Sequence, residues 1–239
     1  YESNDKLFVE KKRWVKGKVV PDTVKMTTNL LNIKSRNILL VDIINSLRKK
    51  DERKILVMSH RIDHLKMLKG MLDDIIDQDI KNGICEADEY KTAFYIGGMK
   101  EYELDDAATA DVLFGTYAMA EEGLDIDGLN TLVLATPKKD IIQSIGRILR
   151  KPIKEGDINP LVVEITDNLS CIKMWGNKRE AYYEKKNYNF CRYRAFNDKI
   201  ISIKDYMIAK DMIKKTDKID GLEELRKKYI IHESGESNY

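Results

Sequence analysis

One segment places an amide and two guanidinium groups at helical spacing: residues 140–150, Asp-Ile-Ile-Gln-Ser-Ile-Gly-Arg-Ile-Leu-Arg. Gln143, Arg147 and Arg150 stand at i, i+4 and i+7, so one face of a helix would carry all three. Two arginines on one face repel each other slightly, whereas their planar, permanently charged groups suit bidentate capture of phosphate oxygens. The segment therefore predicts a phosphate-binding helix face. A capping box and a charged helix terminus remain the structural alternatives.

A polar loop after an apolar run is a second candidate for ligand binding. Residues 112–115 predict a strand, and Thr116-Tyr-Ala-Met-Ala-Glu-Glu-Gly-Leu-Asp-Ile follows it. In open α/β sheets, ligands bind where such loops leave the carboxyl ends of parallel strands. Gly123 permits an unusual backbone angle, and Asp125 can accept a hydrogen bond from a sugar hydroxyl or pair with an arginine. The loop alone is equally compatible with an ordinary turn.

The elements that must position these residues alternate along the chain. Short apolar runs bounded by polar turns predict buried parallel strands, and helical patterns separate several of them. The sequence therefore predicts an α/β fold, a parallel sheet with helices on both faces. The predicted strands are residues 55–58, 93–96, 112–115, 131–135 and 161–165, and the predicted helices are residues 36–49 with Ser35 as N-cap, 62–77, 140–150 and part of 168–185.

Composition excludes several classes of protein. Of 239 residues, 43% are hydrophobic and 34% are charged, which is too hydrophobic for a disordered chain and predicts a densely charged surface. Cys85, Cys171 and Cys191 are odd in number and form no Cys-x-x-Cys pair. This spacing argues against a disulfide framework and a cysteine zinc site, and it predicts a reducing, intracellular compartment. The apolar runs are too short to span a bilayer, so we expect no membrane partner.

Basic and aromatic side chains interleave in residues 173–196. The pattern is typical of a surface that stacks on bases and binds phosphates. It is equally typical of a helix whose aromatic residues pack on a sheet while its lysines face solvent. The aromatic residues concerned are Trp175, Tyr182, Tyr183, Tyr188, Phe190, Tyr193 and Phe196.

The first two constellations, in this order and spacing, resemble the C-terminal RecA-like lobe of superfamily 2 helicases. Residues 116–126 resemble motif V, a Thr-initiated loop ending Glu-Gly-Leu-Asp-Ile, and residues 143–150 resemble motif VI, Gln-x-x-Gly-Arg-x-x-Arg. Residues 54–65, Lys-Ile-Leu-Val-Met-Ser-His-Arg-Ile-Asp-His-Leu, resemble motif IV, and residues 95–100 occupy the place of a glycine-containing backbone-binding turn. The Gln-Ser-Ile-Gly-Arg form is similar to that of phage branch-migration helicases and of transcript-release helicases of large DNA viruses, including poxviruses and African swine fever virus.

This resemblance implies a role for each motif residue. Arg147 and Arg150 would act as arginine fingers on the γ-phosphate of ATP, and Gln143 would place that phosphate or the attacking water. Gly123 and Asp125 would contact the ribose or couple the nucleotide to the nucleic acid. The residues implied to hold the phosphodiester backbone, without sequence preference, are Ser59, His60, Arg61, Gly97, Gly98 and Thr116.

The sequence contains no Gly-x-x-x-x-Gly-Lys-Ser/Thr segment, the phosphate cradle of such motors. The resemblance therefore implies that an N-terminal RecA-like lobe of the same polypeptide, before Tyr1, binds most of the ATP and Mg²⁺. The chain alone should hydrolyse ATP negligibly. We expect residues 1–34 to link the lobes in an extended form, residues 35–200 to form the RecA-like domain, and residues 201–239 to form a helical appendage with a frayed tail.

The resemblance also implies partners and a place of action. The nucleic acid would be DNA, single-stranded or forked, with RNA left open. Glu122 stands where many RNA helicases of the superfamily have arginine, which favours the DNA-acting branch. If the protein is viral, it would act in the host-cell cytoplasm or be carried in the virion.

Two other functions fit parts of the sequence. His60-Arg-Ile-Asp-His64 approaches the inverted zinc motif His-x-x-Glu-His, but an aspartate replaces the glutamate and His60 falls at a predicted strand end. We therefore predict no metal site. The second alternative is a helicase-like domain that binds nucleic acid as a scaffold, without a motor role. Arg147 and Arg150 argue against it, because a scaffold needs no arginine fingers.

Overall fold

The computed structural model describes residues 1–49, 53–87, 89–122, 126–141 and 158–201. The strands within these ranges are β1 Lys12–Val15, β2 Lys18–Pro21, β3 Lys54–Ser59, β4 Thr92–Tyr95, β5 Val112–Thr116, β6 Leu129–Leu134, β7 Leu161–Glu164, β8 Arg194–Phe196 and β9 Lys199–Ile201. The helices are α1 Thr23–Leu31, α2 Lys34–Arg48, α3 Ile62–Lys81, α4 Glu101–Ala107, α5 Tyr117–Glu122 and α6 Ser170–Lys185.

The central sheet has the strand order β4-β5-β3-β6-β7, and every neighbouring pair is parallel. The predicted α/β fold with a parallel sheet is therefore confirmed. Parallel strands end on the same side of a sheet, which we name the carboxyl edge. Met58 of β3 is level with Gly115 of β5 and Leu134 of β6, so three strands end within a residue or two of one another.

The apolar strands are buried on both faces. Ile55 and Val57 of β3 pack with α2 and α3 on one side, and Leu56 and Met58 pack with the start of α5 on the other. Each large apolar side chain that is fully buried stabilises the folded protein by roughly 1.5–3 kcal/mol. This double burial explains why the strands read as continuous apolar runs rather than as alternating ones.

Helix α2 corrects one sequence prediction. It begins at Lys34 with Ile33 as N-cap, so the prediction of Ser35 as N-cap is wrong. Ile33 is fully buried, and its packing against Met26 and Leu30 fixes the start of the helix without a side-chain cap. The Ser35 hydroxyl instead lies 3.2 Å from the Tyr1 hydroxyl oxygen.

The first 34 residues are folded rather than extended. Strands β1 and β2 form an antiparallel hairpin. Its turn residues Lys16 (φ 48°) and Gly17 (φ 76°) both have positive φ, as tight hairpin turns require. The Asp22 carboxylate accepts a hydrogen bond from the Lys25 backbone N–H (3.0 Å) and caps α1, which buries Met26 in the core. The sequence did not reveal this hairpin, because both of its faces are exposed to solvent and its residues therefore show no alternation of apolar and polar side chains.

The segment before α6 is packed very closely. A Cβ on Gly176 would lie 2.2 Å from Thr166 Cγ2, so only glycine lets the helix lie against the residues that follow β7. The Arg179 side chain then reaches the Glu164 carboxylate (2.7 Å) at the end of that strand.

The basic and aromatic stretch of residues 173–196 has a mixed environment, because Trp175 packs against buried residues whereas Tyr193 is 74% exposed.

Two predicted elements fall outside the described residues. Only the first two residues of the predicted helix 140–150 are described, and of the predicted appendage 201–239 only the first residue is described. Within the described ranges, no helix combines the length and apolar character needed to cross a membrane.

Candidate nucleic-acid interface

The predicted backbone-binding residues that the structure describes lie at the carboxyl edge of the sheet. Ser59 ends β3 and lies beside Thr116 at the end of β5. His60 and Arg61 follow Ser59 and are exposed, and Gly97 follows β4 by two residues. Strand register therefore brings motif IV, the glycine turn and the start of motif V to one line across the sheet.

His60 is held across the end of the sheet by Thr136, which follows β6. The His60 backbone N–H donates to Thr136 Oγ1 (3.2 Å), and His60 Nδ1 lies 2.8 Å from the same oxygen. The imidazole also packs on the Tyr117 ring, with 4.6 Å between centroids. The histidine is thus exposed but fixed in direction.

The buried side chain of Tyr117 stabilises the contact between His60 and Thr136. Its hydroxyl donates to the Thr136 carbonyl oxygen (2.9 Å), and burial raises its pKa well above the ordinary value, so the hydroxyl remains a neutral donor. The Lys138 ammonium lies 4.4 Å from the centroid of the Tyr117 ring, a distance typical of a cation–π contact. The cluster therefore presents an imidazole and an ammonium group at the carboxyl edge.

Ser59 is fully buried and stabilises the turn through a chain of hydrogen bonds. Its hydroxyl oxygen accepts from the Arg61 backbone N–H (3.2 Å) and lies 3.1 Å from His64 Nδ1. His64 Nε2 lies 3.0 Å from Asn37 Oδ1, while the Asn37 amide donates to the Leu31 carbonyl (2.8 Å). Because Asn37 Oδ1 can only accept, we assign the proton to Nε2, and Nδ1 then accepts from the Ser59 hydroxyl.

This chain of hydrogen bonds makes stability depend on pH. Burial first, and the Arg36 charge second, lower the pKa of His64 from 6.5 to about 3. Below pH 6.5 the imidazole of His64 binds a proton in the unfolded chain, whereas in the folded protein it binds one only near pH 3. Stability should therefore fall as pH falls through this window, by up to about 1.4 kcal/mol per pH unit.

Urea denaturation of the wild type and of His64→Gln between pH 7.5 and 4 measures this effect. Glutamine does not titrate, so the variant should lose less stability than the wild type over the same interval. Buried carboxylates contribute equally to both proteins and cancel in the comparison. Parallel pH profiles would show that His64 is protonated normally and that the assignment is wrong.

Thr116 and the glycine turn meet beside the start of α5. The Thr116 hydroxyl oxygen lies 3.4 Å from the Met119 backbone N–H, and Thr116 itself is half-buried. A Cβ on Gly97 would lie 3.8 Å from Met119 Sδ, which places the turn against this helix. Gly98 has φ +88° and is exposed, a conformation that other residues adopt only with strain.

The predicted nucleotide-facing residues lie outside the described part of the chain: Gly123, Asp125, Gln143, Arg147 and Arg150. The residues that flank them are described. Ile126 and Ile141 are both buried in the cluster that contains Tyr117. Ile126 precedes the start of β6 and Ile141 follows its end, so one apolar cluster on this face of the sheet holds both flanking residues.

Four residues of the interface were not predicted from the sequence: Asn37, Tyr117, Thr136 and Lys138. Thr136 belonged to no predicted site, and His64 was singled out only as half of a metal motif. In the structure, His60 and His64 contact different partners. The described residues contain no group of His, Cys, Asp or Glu side chains able to hold a metal ion.

Comparison with known proteins finds viral relatives. A protein of Acanthamoeba polyphaga mimivirus named “Putative ATP-dependent RNA helicase” is 37% identical over 174 residues, which cover 72% of this chain and 31% of the viral protein. A “Putative helicase” of Invertebrate iridescent virus 6 is 29% identical over 164 residues, covering 64% of this chain and 35% of the relative. The chain thus spans about a third of the length of these relatives. No family model matches the sequence.

Among solved structures, T4 UvsW is similar with a TM-score of 0.54 and 20% identity, covering 74% of this chain and 37% of that one. This similarity shows a shared fold. The predicted RecA-like helicase fold is therefore confirmed, and the expected resemblance to helicases of large DNA viruses is confirmed by the viral relatives.

Proposed function

We propose that the chain is the C-terminal RecA-like lobe of an ATP-dependent superfamily 2 helicase or translocase that acts on DNA. One observation carries the proposal: strand register brings the motif IV turn, the glycine turn and the motif V threonine to one edge of the sheet, in a relative of viral helicases. Residues 35–200 would form this lobe, with residues 201–239 as its appendage. We propose action inside an infected cell or a virion.

Backbone contact would come from the exposed groups of the carboxyl edge. Arg61, the hydroxyl of Thr116 and the amides of the glycine turn at Gly97 and Gly98 would contact phosphates, which carry no sequence information. His60, held by Thr136, would contribute a contact of fixed direction. Ser59 would act indirectly, because its buried hydroxyl stabilises the turn rather than facing solvent.

Nucleotide chemistry would occur between this lobe and an N-terminal lobe of the same polypeptide. The partner lobe would supply most of the contacts to ATP and Mg²⁺. Gln143, Arg147 and Arg150 would reach the γ-phosphate, and Gly123 with Asp125 would contact the ribose side. Closure of the two lobes on ATP and their reopening after hydrolysis would move the backbone contacts along one nucleic-acid strand.

Replacing Thr116 with valine tests the coupling between the interface and the motor. In the polypeptide that carries both lobes, the variant should lose several-fold of the ATP turnover stimulated by nucleic acid, while basal turnover changes little. The reason is that valine keeps the shape but removes the hydroxyl that would contact the backbone. Steady-state hydrolysis with and without single-stranded DNA, forked DNA and single-stranded RNA measures both quantities.

Thr116→Ser is the matched control, because it keeps the hydroxyl and the hydrogen bond to Met119. It should retain stimulation. Equal losses of basal and stimulated turnover in Thr116→Val would count against a backbone contact. If the complete protein binds DNA but never hydrolyses ATP, the chain is a scaffold. Stimulation by RNA alone would change the substrate to RNA.

A further inference from the structure

The β1–β2 hairpin is exposed at all but one of its strand residues and carries an unusual combination of side chains. Trp14 is 75% exposed and Val19 is 51% exposed. No acidic residue occurs between positions 11 and 21. The basic residues of the hairpin are Lys11, Lys12, Arg13, Lys16 and Lys18.

Strand register distributes these groups over both faces of the hairpin. Trp14 pairs with Val19 and therefore shares a face with Lys12, two residues away. Arg13 pairs with Val20 on the opposite face. Lys16 lies in the turn. The Trp14 ring therefore lies between Lys12 on the same strand and Lys16 in the turn.

A structural role explains this hairpin poorly. Isolated two-stranded hairpins are marginally stable in water, and all but one of the eight strand residues are exposed. The apolar patch is also too small for a protein docking site, since it consists of one ring and the short side chains beside it. Basic groups around an exposed ring instead match a polyanion whose bases can stack.

The base of the hairpin is fixed at the carboxyl edge. The Ser170 hydroxyl donates to the Glu10 carboxylate just before β1, and Ser170 begins α6 shortly after β7 ends. After β2, α1 ends at Leu31, whose carbonyl accepts from the Asn37 amide that also contacts His64. The base of the hairpin is therefore tied to the start of α6, which follows the carboxyl end of β7, and α1 joins the hairpin to the helix that contacts His64.

We propose that the β1–β2 hairpin is an additional binding surface for single-stranded nucleic acid, with Trp14 stacking on a base and Lys12, on the same face, and Lys16, in the turn, contacting phosphates. The proposal rests on the proposed function for its ligand class, but it assigns a separate surface outside the helicase-like motifs. It would lengthen the bound strand beyond the carboxyl edge.

Binding of labelled oligo(dT) and oligo(U) by the 239-residue chain, followed by fluorescence anisotropy, tests the proposal. Trp14→Ala should weaken binding by about five- to 150-fold, the effect of removing one stacked base. Inorganic polyphosphate has no bases, so its binding should not change. Changing Lys12 and Lys16 together to alanine should weaken binding of both ligands and lower the salt slope by about 0.7 for each phosphate that the variant no longer neutralises.

Tryptophan fluorescence provides an independent readout, because the chain contains only Trp14 and Trp175. In Trp175→Phe, the emission of Trp14 should be quenched when oligo(dT) binds. Trp14→Phe is the matched control, since the remaining Trp175 packs against buried residues and should report no quenching. Quenching only in the control would overturn the assignment.

Equal affinity of Trp14→Ala and the wild type for both oligonucleotides would also overturn it, as would a dimer in sedimentation that Trp14→Ala dissociates. These outcomes are separable from failure of the proposed function. A hairpin that binds no nucleic acid leaves the effect of Thr116→Val on stimulated turnover intact. A protein without ATP hydrolysis leaves the effect of Trp14→Ala on binding intact.

Discussion

Replacing Arg150 with alanine should lower ATP turnover by about a thousandfold or more in the polypeptide that carries both lobes. An arginine finger stabilises negative charge that develops on the transferred phosphoryl group, so its loss affects the chemical step. Arg150→Lys should recover only part of the rate, because an ammonium group keeps the charge but loses the planar fork. Single-turnover hydrolysis with saturating ATP measures the effect.

Arg192→Ala is the matched control for Arg150→Ala. Arg192 is exposed and pairs with Glu180 and Glu184 on α6, so its removal should leave turnover unchanged. The melting temperature of both variants should stay near that of the wild type. A collapse of the melting temperature in Arg150→Ala would assign the residue to the core, and unchanged turnover would remove it from the catalytic set.

Replacing Arg36 with methionine should destabilise the protein by about 3–5 kcal/mol, a large fraction of the roughly 5–15 kcal/mol typical of a domain. Arg36 and Asp167 are both fully buried and form two hydrogen bonds of 2.8 and 3.0 Å. A third bond joins Arg36 to the Ala135 carbonyl (2.8 Å). The variant would leave the Asp167 carboxylate buried without its cation. Urea denaturation measures the loss.

Variants at both positions keep this prediction testable if Arg36→Met does not fold. Arg36→Lys keeps the charge but loses the bidentate geometry, and it should be destabilised less. Arg36→Met combined with Asp167→Leu should be more stable than Arg36→Met, because no unpaired charge remains. Additive losses in the double variant would contradict a direct interaction.

The Arg36–Asp167 ion pair also fixes the geometry of the carboxyl edge. Arg36 joins the start of α2 to the residues after β6 and β7, so it fixes the carboxyl ends of two strands relative to one helix. His60 is bound to Thr136, the residue after Ala135. Loosening Arg36 should therefore disturb the interface as well as the core.

The central sheet could be predicted from residue types alone. All five predicted strands are present, within two residues of their predicted ends, because strands buried on both faces must be apolar throughout. The helices after β3 and β7 were also recognisable, as were the strand ends that carry Ser59 and Thr116, since register in a parallel sheet brings strand ends to one edge. Local residue types sufficed for these features because burial imposes them directly.

The way the interface is held could be seen only in the folded chain. Ser59 was predicted to face the nucleic acid, yet its hydroxyl is buried against His64, which in turn contacts Asn37 from another helix. The pairings of His60 with Thr136 and of Arg36 with Asp167 join residues 76 and 131 positions apart. No local pattern encodes such pairs, because their free energy exists only after the chain has folded and water has been excluded.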